Sequence, residues 1–202
     1  MREAVILVAG VGAAAGSRTA AAALACAASR PDRAGLLVDL TDARPSRPSL
    51  VATDAARKLE ERLAVHLPEG GVASRGQTCH LALPPDPTGV DGVAGALPAV
   101  RESIGVVHLP PQLLQPVLDE TRIRASAALL RADLRADRAL TALAARDLAQ
   151  RGLRVAVLKQ PLGWIASRRA LAGALSADAS GGLPERLLRR LLAEQQEPGT
   201  RC

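Results

Sequence analysis

The stretch Val5–Ala25, VILVAGVGAAAGSRTAAAALA, constrains the fold of this chain more than any other. A short apolar run leads into a segment of glycine and alanine, and an alanine- and leucine-rich run follows it. This order predicts a buried strand, a glycine turn and the start of a helix. Glycines let a backbone approach a ligand closely, and the N–H groups and dipole of a helix start favour an anion, most often phosphate. We therefore expect a phosphate cradle here.

The remainder of the chain alternates short apolar runs with longer amphipathic ones. Strands without polar alternation, separated by helices, indicate a sheet that is buried on both faces. We predict an α/β fold with a doubly wound, mainly parallel sheet and helices on both faces. The predicted strands are Val5–Val8, Gly35–Leu40, Thr78–Leu83, Ile104–Leu109, Ala125–Arg131 and Leu153–Leu158.

The predicted helices lie between these strands and after the last one. Within the helix at Arg135–Arg151, the residues Leu140, Leu143, Ala144 and Leu148 form one apolar stripe, and Gly152 is expected to cap it. Pro68–Gly76 is predicted to be a loop. The other predicted helices are Ser17–Ala28, Ser49–Leu67, a short helix within Thr88–Arg101, Gln112–Arg122, Ile165–Leu175 and Pro184–Gln196.

Length and composition indicate one ordinary globular domain. The chain has 202 residues, of which 48% are hydrophobic and 23% charged, so we expect a single α/β domain over residues 1–196 and a flexible tail over 197–202. One Trp and no Phe or Tyr leave no platform for stacking bases, which argues against nucleic-acid binding. Three widely spaced cysteines form neither a disulfide framework nor a metal pair. The start of the chain carries no secretory signal, so we expect a cytoplasmic protein.

The glycine turn fits two kinds of nucleotide site. From Gly12 the chain reads GAAAGSRT, which approximates the P-loop pattern G-x-x-x-x-G-K-[ST] but lacks its lysine. In one register Arg18 stands at the lysine position, and in another Ser17 does. The alternative is a dinucleotide fingerprint, in which Gly10, Gly12 and Ala15 fit G-x-G-x-x-[GA] and Asp39 holds a ribose hydroxyl. A tight turn without a ligand also remains open.

A resemblance to a known family favours the first alternative. The turn, the segment AGLLVDLTDARPS and the later IGVVHLPPQLLQPVLDE together resemble the MinD/ParA group of P-loop ATPases. The pattern is most similar to the TadZ/CpaE-like branch found with pilus machinery. The resemblance implies a P-loop NTPase-like fold that binds ATP or ADP with Mg²⁺. The residues expected to form the nucleotide site are Gly10, Gly12, Gly16, Ser17, Arg18, Thr19, Asp39 and Asp42.

The chain lacks residues of that family on which catalysis depends. The P-loop lysine is absent, and His108 stands where the resemblance implies a magnesium-side acid. Asp39 or Asp42 remains where the family has its water-activating acid. Phosphoryl transfer depends on electrostatic clamping of charge, so we expect a non-hydrolysing or weakly nucleotide-binding domain without catalytic residues. A true but weak ATPase that uses Arg18 is the other possibility within this family.

The resemblance also implies partners. A positioning or assembly module for pilus or secretion machinery would bind a protein partner and could form a homodimer. The last helix places Leu187, Leu188, Leu191 and Leu192 on one side and arginines beside them, a pattern compatible with a membrane surface. We favour docking of this helix on its own domain or on a second subunit. His66, His80 and His108 show no metal-ligand spacing, so no metal site is expected.

Overall fold

A computed structural model describes residues 4–11, 17–41, 52–66, 71–100, 104–132, 137–158 and 183–192. The strands are β1 (Ala4–Val11), β2 (Gly35–Asp39), β3 (Gly71–Arg75), β4 (Thr78–Ala82), β5 (Ile104–Leu109), β6 (Ala125–Ala132) and β7 (Arg154–Leu158). The helices are α1 (Ser17–Ala28), α2 (Asp54–His66), α3 (Pro87–Ala96), α4 (Leu114–Asp119), α5 (Asp137–Gln150) and α6 (Leu183–Leu192). Short 3₁₀ helices at Leu97–Val100 and Pro111–Leu113 adjoin α3 and α4.

The seven strands form a single sheet in the order β3-β4-β2-β5-β1-β6-β7. Neighbouring strands pair in parallel throughout, except that β3 runs antiparallel to β4. Because β1 lies between β5 and β6, the chain crosses over the sheet between parallel strands and the helices occupy both of its faces. The predicted doubly wound α/β fold is confirmed.

Alternate residues of the central strands pack into two separate hydrophobic cores, one on each face of the sheet. Ile6 and Val8 of β1 pack on the face that α1 and α6 cover. Leu7 and Ala9 pack on the opposite face, with side chains of α2, α3, α4 and α5. Since successive strand residues point to opposite faces, an unbroken apolar run such as β1 is what a two-sided core requires.

The segment Pro68–Gly76, predicted to be a loop, contains a strand. Gly71–Arg75 forms β3 and pairs with β4 in a hairpin whose turn contains Gly76 at φ +56°. Ser74 of β3 receives further support from α2, because its backbone N–H donates to the Glu60 carboxylate over 3.1 Å. Glycine tolerates this left-handed conformation, which is why the loop-like composition accommodates an edge hairpin.

The apolar stripe predicted on α5 is right for Ala144 and Leu148 and wrong for Leu140 and Leu143. Leu140 and Leu143 are 59% and 64% exposed, whereas Leu148 is fully buried. The buried face instead follows Asp137, Thr141, the partly buried Ala144, and Leu148. This spacing of four, three and four residues is helical, and the Thr141 hydroxyl is satisfied because it donates to the Asp137 carbonyl over 2.6 Å.

Several helix boundaries differ from those predicted. Helix α2 begins at Asp54 rather than Ser49, because the Thr53 hydroxyl accepts the Ala56 N–H over 3.3 Å and caps it. The helix predicted over Gln112–Arg122 is confined to the 3₁₀ helix and α4. The predicted helix Ile165–Leu175 and the tail 197–202 lie outside the described residues.

The last helix docks on the domain. Leu188 and Leu191 of α6 are buried against α1 and the sheet, and Leu187 and Leu192 pack beside them. The apolar side of this helix therefore faces the protein, as favoured from the sequence. None of the described helices has the length and apolarity needed to cross a membrane.

Candidate functional site

The glycine turn connects β1 to α1, as the sequence predicts. Gly10 belongs to β1 and pairs in register with Arg131 of β6. Ser17, Arg18 and Thr19 form the first turn of α1. Gly12 and Gly16 lie outside the described residues. The carboxyl end of β1 and the start of α1 nevertheless define the edge of the sheet where ligands bind in folds of this class.

Asp39 lies at the same edge of the sheet, at the end of β2 and between β4 and β5. It is the last residue of β2, it is fully buried, and it pairs in register with Ala82 of β4 and His108 of β5. On β2 it follows Leu37 by two residues, so both side chains point to the face that α1 covers. Asp42, the other predicted acid, lies outside the described residues.

A continuous chain of side-chain hydrogen bonds joins α1, β5 and β2. The Ser17 Oγ lies 2.9 Å from His108 Nε2, and His108 Nδ1 lies 3.0 Å from Asp39 Oδ1. All three residues are buried, with 8%, 4% and 0% of their surfaces exposed. Because the ionised carboxylate of Asp39 only accepts, His108 Nδ1 must donate to it. In the neutral imidazole Nε2 is then the acceptor, and the Ser17 hydroxyl donates to it.

Thr41 holds the same carboxylate oxygen from the loop that follows β2. Its backbone N–H and its hydroxyl both donate to Asp39 Oδ1, over 2.9 and 2.6 Å. The Thr41 oxygen also lies 3.3 Å from His108 Nδ1, where it can accept a share of that N–H. The loop therefore fixes the orientation of the carboxylate that faces His108.

The other carboxylate oxygen of Asp39, Oδ2, lies near Arg18 and His80. Arg18 Nε lies 2.6 Å from Asp39 Oδ2, with its side chain 45% exposed, and His80 Nε2 lies 3.7 Å away. We refer to Ser17, Arg18, Asp39, Thr41, His80 and His108 as the Asp39 cluster. Both carboxylate oxygens of Asp39 are thus engaged by side chains from α1, β4, β5 and the loop after β2.

The surroundings of Asp39 act on its pKa in opposite directions. Burial favours the protonated acid and raises the pKa, but the donor groups of His108, His80 and Thr41 outweigh it and hold the pKa well below its ordinary value. Asp39 is therefore ionised over the whole physiological pH range. A permanent buried negative charge is what orders the histidines and the arginine around it.

Two polar residues at this edge of the sheet, His80 and Arg131, were not predicted from the sequence to belong to the site. His80 was predicted only as a strand residue, yet its register partner Leu37 places it on the same face as Asp39. Arg131 is buried at the carboxyl end of β6, beside Gly10 and two residues after Leu129, which packs on the α1 face. Because side chains alternate between the two faces of a strand, the sequence indicates which residues of one strand share a face. It does not show which residues of different strands lie together until the order of the strands is known.

The described part of the site offers groups that suit an anion. The first N–H groups of a helix have no partner within the helix, and Arg18 and Arg131 add positive charge at the same edge. Over the described ranges, no group of three or more histidine, cysteine or acidic residues is placed to hold a metal ion. A phosphate or carboxylate is the ligand chemistry that these groups favour.

Comparison with known proteins gives a distant structural likeness. No family model matches the chain, and no curated protein matches it. Among solved structures it is similar to a ParA family ATPase from Chlorobium tepidum TLS, with 11% identity over 92% of this chain and 96% of that one. The TM-score is 0.48. At this distance the likeness assigns neither a family nor an activity.

Proposed function

We propose that this domain binds a phosphate-bearing ligand of the ATP or ADP class without hydrolysing it, and acts as a positioning or assembly module. The single observation that carries the proposal is the ion pair between Arg18 Nε and Asp39 Oδ2, at 2.6 Å. It joins the cation that could replace a P-loop lysine to the acid that could activate water. Each offsets part of the charge of the other, which weakens the electrostatic clamp that phosphoryl transfer needs.

The ligand would occupy the edge formed by the glycine turn and the first turn of α1. Backbone N–H groups there, together with the positive charge of Arg131, suit a phosphate group. The proposed contacts are Gly10, Gly12, Gly16, Ser17, Arg18, Thr19 and Asp42, of which Gly12, Gly16 and Asp42 lie outside the described residues. Asp39 would act through Arg18, because its own carboxylate is fully buried. Binding would be weaker than in a P-loop that has its lysine.

Hydrolysis requires charge stabilisation at the phosphate, whereas the described side chains of the Asp39 cluster contact one another. In one register Ser17 stands at the lysine position, and it is hydrogen-bonded to His108. Asp39 would have to give up contacts with Thr41, His108 and Arg18 before it could hold Mg²⁺ or orient water. Since phosphoryl transfer depends on such positioned charges, we expect turnover to be absent.

The two alternatives make different demands on the same residues. A weak ATPase would need Arg18 to leave Asp39 and reach the β- and γ-phosphates. A dinucleotide-binding domain would need Asp39 to accept a ribose hydroxyl, but this carboxylate is fully buried. The ion pair therefore favours a non-hydrolysing site over both.

A module of this kind would act through protein partners. We propose a cytoplasmic protein that binds a protein partner or a second copy, with pilus or secretion machinery as the setting that the sequence resemblance implies. Membrane association through α6 is less favoured, because Leu188 and Leu191 are buried in the domain and only the arginine side of the helix is exposed.

The test is a titration of the full chain with ATP, ADP and NAD, each with Mg²⁺, followed by thermal unfolding and by phosphate release. We expect stabilisation by ATP and ADP, none by NAD, and no phosphate release. Arg18→Ala should reduce the stabilisation, while Arg124→Ala, an exposed arginine at the opposite end of the sheet, should not. Phosphate release that Arg18→Ala abolishes would instead establish the weak ATPase, and stabilisation by NAD alone the dinucleotide site.

A further inference from the structure

The Asp39 cluster contains an arrangement that nucleotide binding does not require. A serine hydroxyl, an imidazole and a buried carboxylate follow one another at hydrogen-bond distances of 2.9 and 3.0 Å. The hydroxyl contacts Nε2 and the carboxylate contacts Nδ1, so each nitrogen of His108 faces the group that general-base activation of a serine needs. We propose that Ser17, His108 and Asp39 form a nucleophilic triad that hydrolyses a small carboxylic ester or thioester.

The direction of the hydrogen bonds supports proton transfer from Ser17 to His108. Asp39 accepts from Nδ1, which leaves the lone pair of Nε2 pointing at the Ser17 hydroxyl. The negative charge of Asp39 also stabilises the imidazolium that forms when His108 takes the proton. Thr41 and Arg18 keep the carboxylate in place from the other sides and act as positioning residues.

The position of Ser17 suits the developing charge of an ester reaction. Ser17 opens α1, a helix of twelve residues, so the N–H groups of its first turn lie near the hydroxyl. Such N–H groups, with the helix dipole, stabilise an oxyanion. Ser17 is 8% exposed, which limits the substrate to a small acyl group.

The reaction balances with water as the second reactant. The Ser17 oxygen attacks the carbonyl carbon while His108 Nε2 takes the hydroxyl proton. The bond from the carbonyl carbon to the leaving oxygen or sulfur breaks, and His108 returns the proton to that alcohol or thiol. Water then attacks the acyl-serine with His108 as base, which releases the carboxylic acid and restores Ser17.

The experiment uses p-nitrophenyl acetate and a fluorophosphonate probe on the full chain, with adducts located by peptide mass spectrometry. We expect p-nitrophenol release and a single covalent adduct on Ser17. Ser29 serves as an internal control, because it is buried just after the end of α1 and its hydrogen bonds to the described residues are with backbone groups. It should carry no adduct in the same sample.

Variants separate a triad from a merely reactive hydroxyl. Ser17→Ala should abolish the adduct and the release, and His108→Gln should slow both at least about 100-fold, the usual contribution of a general base. Asp39→Asn should slow release about 10⁴-fold by favouring the wrong imidazole tautomer. Circular dichroism establishes that each variant is folded. For a variant that does not fold, Ser17→Cys provides the second measurement, since a thiol there should react faster than Cys79.

Two results would overturn the triad. One is a folded wild-type chain that forms no Ser17 adduct with either probe. The other is adduct formation at an unchanged rate in folded His108→Gln. Neither result bears on nucleotide binding, which is measured separately by the titration, so the two proposals can fail independently.

Discussion

Arg18 Nε lies 2.6 Å from Asp39 Oδ2, so the first turn of α1 is tied to the carboxyl end of β2 by an ion pair. Asp39 is fully buried, whereas the Arg18 side chain is 45% exposed. The pair involves Oδ2 of Asp39, and the other oxygen, Oδ1, lies 3.0 Å from His108 Nδ1.

The ionisation of Asp39 should make the free energy of unfolding depend on pH in the acid range. Its pKa is lower in the folded than in the unfolded chain, so its contribution is complete above the unfolded value of about 3.9 and is lost as the pH falls further. We expect Asp39→Asn to cost about 1–3 kcal/mol at neutral pH and to flatten the decline in stability below about pH 5. Denaturant unfolding between pH 3 and 7 measures both, with the exposed Asp91→Asn as the control.

Two glycines should respond very differently to alanine. A Cβ at Gly35 would lie 2.0 Å from the Ala25 carbonyl oxygen, because β2 passes directly against α1. At Gly152 nothing lies within 4 Å, and only the left-handed backbone at φ +85° resists a side chain. We expect Gly35→Ala to cost about 3 kcal/mol or more and Gly152→Ala about 1–2 kcal/mol. Equal costs in urea unfolding would contradict this packing of α1 on β2.

The exposed and buried leucines of α5 provide a test of its orientation. Leu143 is 64% exposed and Leu148 is fully buried. We expect Leu143→Ala to change the free energy of unfolding by less than about 0.5 kcal/mol, and Leu148→Ala to lower it by about 2–5 kcal/mol. Comparable losses in the two variants would support the stripe predicted from the sequence.

The two described cysteines should be poorly reactive in the folded chain. Burial, and to a smaller degree the charge of Glu60, raise the pKa of the Cys79 thiol to about 12, and burial also raises the pKa of Cys26. Because the thiolate is the nucleophile, we expect iodoacetamide at pH 8 to leave Cys79 unmodified until denaturant is added. Peptide mass spectrometry measures each cysteine separately. Rapid modification of Cys79 without denaturant would contradict its burial.

The sequence by itself determined the parallel α/β sheet and the position of the glycine turn between β1 and α1. Runs such as Val5–Val8 and Ile104–Leu109 carry that information locally, because a strand buried on both faces must be apolar throughout. Prediction from the sequence failed where the local composition does not indicate the structure that forms. Gly71–Arg75 pairs as an edge strand despite a loop-like sequence, and α5 turns Leu140 and Leu143 outward.

Only the tertiary structure decided that Ser17, His108 and Asp39 contact one another. Asp39 and His108 are 69 residues apart in the chain, and Ser17 and His108 are 91 apart. Their contact depends on the placement of β5 between β1 and β2, and strand order is a long-range property that no local pattern encodes. The sequence placed each residue at the end of its own element, and the crossovers brought those ends within hydrogen-bond distance.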